Sequence, residues 1–293
     1  MQAFFLTNGY TSNFRKDFKP FLWGSFKSLI IPYIAFALIG KGMDVLFWGE
    51  TKLWQKTAGI GDQVWFFMEE SYWFLTALFM ARILYWFLCR YVKNDYYRGF
   101  VALVVMLLGF FLNHVYDGVS LDAAHFNNHL HYRNAMCMMI FIWIGELLKN
   151  HRTLFQKYLA PISITYIVCV VGTHILGKAT TPSYTHSTAI LYHQIPLYLF
   201  YATTGSIAML WISQKINVNK VLEYLGKGSL VVYMTHFASL RMVAKILPSI
   251  ISPYGTVSGL TFYFITFLLT ATMSAGTIWL FNCKYLKVLI GKF

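Results

Sequence analysis

The sequence predicts an all-α integral membrane protein, a polytopic bundle of about eight transmembrane helices. Three observations predict it. The 293 residues are 57% hydrophobic and 12% charged, where soluble domains carry about 25% charged residues. Apolar runs of roughly 18 to 20 residues recur along the chain, long enough to cross a hydrocarbon core. The basic residues gather in alternate connections between those runs. With a mean hydropathy of +0.53, these features exclude a cytosolic enzyme, a disordered tail and a secreted disulfide scaffold. Helices are expected rather than a barrel: the period-two alternation of membrane strands is missing, and lipid gives open backbone groups no partner.

The elements follow in order. MQAFFLTNGY, residues 1–10, is too short to span and too apolar for a free aqueous end. It reads as the last third of a transmembrane helix. It is not a signal peptide, because the basic cluster follows the apolar stretch. Eight spans come next: Ser28–Leu46, Ser71–Cys89, Phe100–Val115, Ala135–Leu148, Leu159–Leu176, Ile195–Ile212, Ser229–Leu247 and Val257–Phe281. Ala135–Leu148 is short unless its helix begins earlier, near His129. Ser229–Leu247 is apolar only to Leu240, and Arg241 and Lys245 beyond it must snorkel or face a polar cavity.

Charge sets the register. Connections on one side hold sixteen basic residues, among them Lys27, Arg98, Arg152, Lys220 and Lys287. The other side holds seven, and Arg82 lies inside a helix. Cytoplasmic connections accumulate Lys and Arg, so both chain ends are expected in the cytoplasm. The net charge of +13 is then an orientation signal rather than a nucleic-acid surface. Cys89, Cys137, Cys169 and Cys283 lie in or beside apolar runs without CxxC spacing, and read as small hydrophobes, not a disulfide framework or metal site. Glu69 and Glu70 read as helix N-terminal charges suited to the dipole. Nucleophile elbow, P-loop and dinucleotide fingerprint are all missing.

Five stretches carry a resemblance: AFFLTNGY, FKSLIIPYIAF, SYWFLTALFMAR, LEYLGKGSLVVYMTHF and, more weakly, FIWIGELLKN. In this order they resemble the "FF-hydrophobic-SGY", "PY", "WFL", "LGKNSLxxYxxH" and "FFxxGYLLK" segments of membrane-bound acyltransferase family 3. The resemblance covers nearly the whole chain. It implies a fold of roughly ten helices and transfer of an acyl group, often acetyl, from cytoplasmic acyl-CoA to a sugar hydroxyl of a surface or exported glycan. It also implies that the family's catalytic His and a basic residue sit on a first helix, which with most of the second would lie ahead of Met1. Residues 1–293 are accordingly read as a single transmembrane acyltransferase domain, truncated at its N-terminus and expected to transfer little acyl group as it stands. Three positions depart from the family pattern. Gly24 and Ser25 stand where an arginine would accompany Lys27, Gly228 replaces the Asn of "GKNS", and Glu146 replaces the Tyr of "GYLL".

The resemblance implies roles for particular residues. Arg82 and His236 each lie about seven residues from the cytoplasmic end of their spans, roughly 10 Å deep. Ionisable groups at that depth usually face a bundle interior or a water-filled cavity. They are expected to share one polar chamber, where Arg82 holds phosphate or a carbonyl oxygen of the donor and His236 orients or deprotonates. Tyr233, three residues before His236, shares its helical face. Lys27 is the candidate for donor phosphate, and Trp73, opening the "WFL" element, for lining the cavity. The cluster HFNNHLHYR, with His125, His129, His131 and Arg133, is the candidate glycan contact, together with Tyr184, His186, Tyr192 and His193.

The implied partners are membrane lipid, an acyl-CoA donor such as acetyl-CoA, and a glycan or lipid-linked saccharide acceptor. Acyl-CoA is a substrate here, and no permanently bound cofactor or nucleic acid is expected. The expected location is the bacterial cytoplasmic membrane. A transporter or flippase of a glycan precursor and a non-catalytic scaffold are the competing readings. Consumption of acyl-CoA by purified protein separates them from an acyltransferase.

Overall fold

A computed structural model describes residues 2–48, 72–117, 131–176, 194–216, 219–247, 256–283 and 285–291. Among these residues every regular element is helical and none is a strand. The α-helices are α1 (Gln2–Thr11), α2 (Phe18–Ser25), α3 (Ile31–Trp48), α4 (Trp73–Tyr91), α5 (Asp95–Asp117), α6 (Tyr132–Asn150), α7 (Arg152–Ile175), α8 (Ile195–Lys215), α9 (Lys220–Lys227), α10 (Ser229–Ile246) and α11 (Thr256–Phe281). A π-helical turn, Phe26–Ile30, joins α2 to α3, and a 3₁₀ turn covers Leu286–Ile290.

All eight expected spans are helical where described. Among the described residues, six helical stretches are long and apolar enough to cross a membrane: Phe18–Gly40, Trp73–Tyr91, Asp95–Val115, Arg152–Ile175, Ile195–Lys215 and Thr261–Phe281. Helix α6 is outside that set because it carries Arg133, Glu146 and Lys149 within 19 residues. It starts at Tyr132, three residues before the segment drawn from sequence.

The chain divides into two compact units, 1–25 with 73–217 and 26–72 with 218–293. In the first, α6 is the hub and packs against α1, α4 and α5. Its Ala135, Cys137, Met138, Phe141 and Ile142 are all fully buried. A helix enclosed by other helices needs no uniformly apolar surface, which is why polar residues survive at both of its ends. The backbones of α1 and α6 touch. A Cβ on Gly9 would strike the Ile142 carbonyl, and one on Gly145 would strike the Leu6 carbonyl. Small residues at such a crossing let membrane helices approach closely. Phe5 and Leu6 of α1 are fully buried as a result. Asn94 caps α5, its Oδ1 accepting from the amides of Tyr96 (2.9 Å) and Tyr97 (3.3 Å).

In the second unit α10 lies along α11, where Thr235 and Thr277 hydroxyls meet at 3.0 Å. Phe36 of α3 packs on Phe281, ring centroids 4.7 Å apart. The π turn ends just before Pro32, whose ring clashes with the carbonyl four residues back in a regular helix and which has no N–H to bond it. Widening to π spacing accommodates that loss. Gly228, the departure from "GKNS", lies against Ile278, and a side chain there would collide with it.

Candidate functional site

The first unit holds polar groups at both ends of α6. At its start, His131 adopts a left-handed conformation (φ 52°, ψ 40°) just ahead of Tyr132. Such a backbone costs a non-glycine residue roughly 1–2 kcal/mol, so it persists only where its surroundings hold it. His131 is 4% exposed, Arg133 5% and Asn134 0%. Trp73, the first residue of α4, is half-buried with its ring 6.3 Å from that of His131. The structure therefore brings Trp73, His131 and Arg133 to one end of this unit. His129 lies outside the described residues, as do His125, Glu69, Glu70, Tyr184, His186, Tyr192 and His193.

At the other end is a cluster that sequence reasoning missed. Glu146 accepts a 2.5 Å hydrogen bond from the Tyr85 hydroxyl. Its Oε2 is 3.2 Å from Arg98 Nη1. Arg98 also pairs with Asp95 one turn earlier and reaches Cys89 Sγ at 3.3 Å. Trp143 Nε1 donates to the Asp95 carbonyl at 2.9 Å. Charge patterning places Arg98 in a basic connection between spans. That is corrected: it lies inside α5, 5% exposed, and neutralises Glu146. The available signal was Glu146 itself, an acid within an apolar run.

Between these ends stands Arg82. Helix α4 runs on to Tyr91, so Arg82 is the tenth of its nineteen residues, about 13 Å from either end. Its guanidinium carbon lies 5.3 Å from the centre of the Phe21 ring, a cation–π arrangement. Its Nε is buried with no hydrogen-bond partner among the described residues. An anionic or carbonyl oxygen placed there would satisfy it; the Nε of ion-paired Arg98 is buried in the same way. Tyr85 and Trp86 follow on the same face, and Trp86 Nε1 donates to the Lys16 carbonyl at 2.9 Å.

Lys27, Tyr233 and His236 belong to the second unit. Lys27 sits in the π turn, half-buried, with the backbone of Gly291 closing on its carbonyl. His236 is the eighth residue of α10. Its Nδ1 is 2.6 Å from the Tyr233 carbonyl, and the two rings lie 5.8 Å apart. A carbonyl only accepts, so Nδ1 carries the hydrogen, and the neutral ring keeps its lone pair on Nε2. That is the tautomer a general base needs when it acts through Nε2. Tyr233 thus fixes the imidazole through its backbone. Arg82 and His236 fall in different units. Cys137 is buried as expected, but Cys283 is exposed.

Comparison with known proteins gives one result. The family model described as "Acyltransferase domain" matches residues 1–279. No curated protein and no solved structure matches.

Proposed function

The chain belongs to membrane-bound acyltransferase family 3, and from that premise we propose that it is an O-acyltransferase of the bacterial cytoplasmic membrane. It moves an acyl group, in the simplest case acetyl, from cytoplasmic acyl-CoA to a sugar hydroxyl of a surface or exported glycan. The acceptor oxygen attacks the thioester carbonyl carbon, the C–S bond breaks, and the proton from the hydroxyl ends on the coenzyme A thiolate. The observation that carries this reading is the buried, unpartnered Nε of Arg82 at the middle of α4. The Nε of Arg98 is in the same state, but Arg98 is paired with Glu146, whereas Arg82 has no acidic partner among the described residues.

In this reading Arg82 holds the donor's carbonyl or phosphate oxygen, and Lys27 adds charge for the coenzyme A phosphates. His236 takes the proton through Nε2, oriented by the Tyr233 carbonyl. Trp73, His131 and Arg133 form the saccharide contact, an aromatic platform beside buried polar groups, with His129 nearby in sequence. Residues 1–293 belong to one transmembrane acyltransferase domain, with both termini on the cytoplasmic side.

The test is transfer of radiolabelled acetyl from acetyl-CoA to glycan in membranes that contain the protein. Arg82→Ala is expected to raise the KM for acetyl-CoA at unchanged protein level. Undiminished donor binding by that variant would remove the assignment.

A further inference from the structure

Helix α9, Lys220–Lys227, is neither a span nor a plain connection. Eight residues rise only about 12 Å. At 100° per residue Val221, Leu222 and Leu225 fall on one side, and Lys220, Glu223 and Lys227 on the other. The helix is built to stand alone at its ends. Asn219 Oδ1 caps it, accepting from the amides of Val221 (2.9 Å) and Leu222 (3.3 Å). Lys227 Nζ pairs with Glu223 at 2.6 Å, and this neighbour holds the Glu223 carboxyl below the usual carboxylate range. Much of its apolar face is open among the described residues: Val221 is 65% exposed and Leu222 50%, with Leu225 half-buried.

The contacts of α9 set its depth. The Tyr224 hydroxyl donates to the Ala275 carbonyl at 3.1 Å. Ala275 lies six residues before the end of α11, about 9 Å into that helix. Exposed Trp279 comes one turn later, and exposed Tyr285 follows the helix end. Such aromatics mark the lipid–water boundary. Interfacial helices bury their apolar face about 5–10 Å into that boundary, the level at which α9 meets α11.

We propose that α9 is an interfacial helix docked on the membrane that the chain spans, with Val221, Leu222 and Leu225 at the acyl-chain boundary and Lys220 and Lys227 on anionic headgroups. The charge arrangement selects the lipid. The Glu223–Lys227 pair leaves the polar face with a net positive charge, which complements an anionic leaflet. The docking bears on the site, because α9 passes through Gly228 directly into α10, the helix of Tyr233 and His236. Gly228 against Ile278 and Thr235 against Thr277 continue the line of contact begun by Tyr224.

The experiment is photocrosslinking of the full chain in nanodiscs of mixed phosphatidylcholine and phosphatidylglycerol. It places benzoylphenylalanine at Leu222, at Val221 or at Glu223, and mass spectrometry identifies the adducts. Phospholipid adducts are expected at 222 and 221 in several-fold higher yield than at 223. Phosphatidylglycerol should be enriched in them over its bulk ratio, by up to about fivefold for each contributing lysine. Lys220→Gln/Lys227→Gln should return the ratio to bulk while the adducts remain. Equal lipid yield at 222 and 223, or adducts to protein at 222 and 221, would overturn the docking. Enrichment that the double variant leaves unchanged would overturn the role of the lysines. The readout is independent of acyl transfer, so it stands or falls apart from the enzymatic reading.

Discussion

Arg98 of α5 and Glu146 of α6 form a buried ion pair, Nη1 to Oε2 at 3.2 Å, with side chains 6% and 12% exposed. Tyr85 of α4 donates to the same carboxylate oxygen, so one acid ties three helices. Removing one partner of a buried pair strands the other charge and costs about 3–5 kcal/mol, whereas replacing both with apolar groups costs far less. Glu146→Ala is therefore expected to lower thermal stability in detergent strongly. The double variant Arg98→Met/Glu146→Leu should recover most of the loss. Melting temperatures that fall as far in the double as in the single variant would contradict the pairing.

The α1–α6 crossing gives a second expectation. Gly9 and Gly145 each meet a backbone carbonyl of the other helix, and a carbonyl cannot rotate away as a side chain does. Gly145→Val should destabilise by roughly 1–3 kcal/mol, the ordinary cost of overpacking. The same change at Gly172, which has open space around its Cβ position, should have much less effect. Proteolysis in detergent compares them, and equal resistance of the two variants would argue against the close crossing.

Most of the architecture is legible in the sequence because lipid imposes a simple rule: apolar runs of span length become helices. The start of α6 is not legible by that rule. Its Arg133 and Asn134 break the apolar run, and only the neighbouring helices make their burial tolerable. The Arg98–Glu146 pair is hidden for a related reason. Arg98 stands at the edge of an apolar segment, where it reads as an orientation charge, and Glu146 is 48 residues away. Pairing across such a distance has no periodic signature. The position of His236 within its helix follows from sequence, but Arg82 lies nearer the middle of its helix than the drawn span implies, and the missing hydrogen bond at Arg82 Nε and the tautomer of His236 are not legible there.

The bias of basic residues toward alternate connections, which stands with Arg98 set aside, predicts the topology. Lys93→Cys and Lys220→Cys should react with an impermeant thiol reagent only after the membrane is opened. Ser183→Cys should react in intact cells. Labelling of Lys93→Cys from outside would reverse the assignment.

The acceptor side has its own expectation. Trp73 and His131 rings lie 6.3 Å apart beside buried Arg133. Trp73→Ala is expected to raise the KM for the glycan at least several-fold, as loss of a sugar-stacking face does, with acetyl-CoA binding unchanged. Equal impairment of donor and acceptor binding would point to a structural role instead.

The central claim is acyl transfer that depends on Arg82 and His236. The most direct measurement is steady-state transfer of labelled acetyl from acetyl-CoA to glycan by the native protein, Arg82→Ala and His236→Gln, at matched levels in one membrane preparation. The account predicts a raised KM for acetyl-CoA in Arg82→Ala. For His236→Gln it predicts a kcat lowered about a hundredfold, the lower range for loss of a general base, with donor KM little changed. Native rates and unchanged KM values in both variants would contradict it.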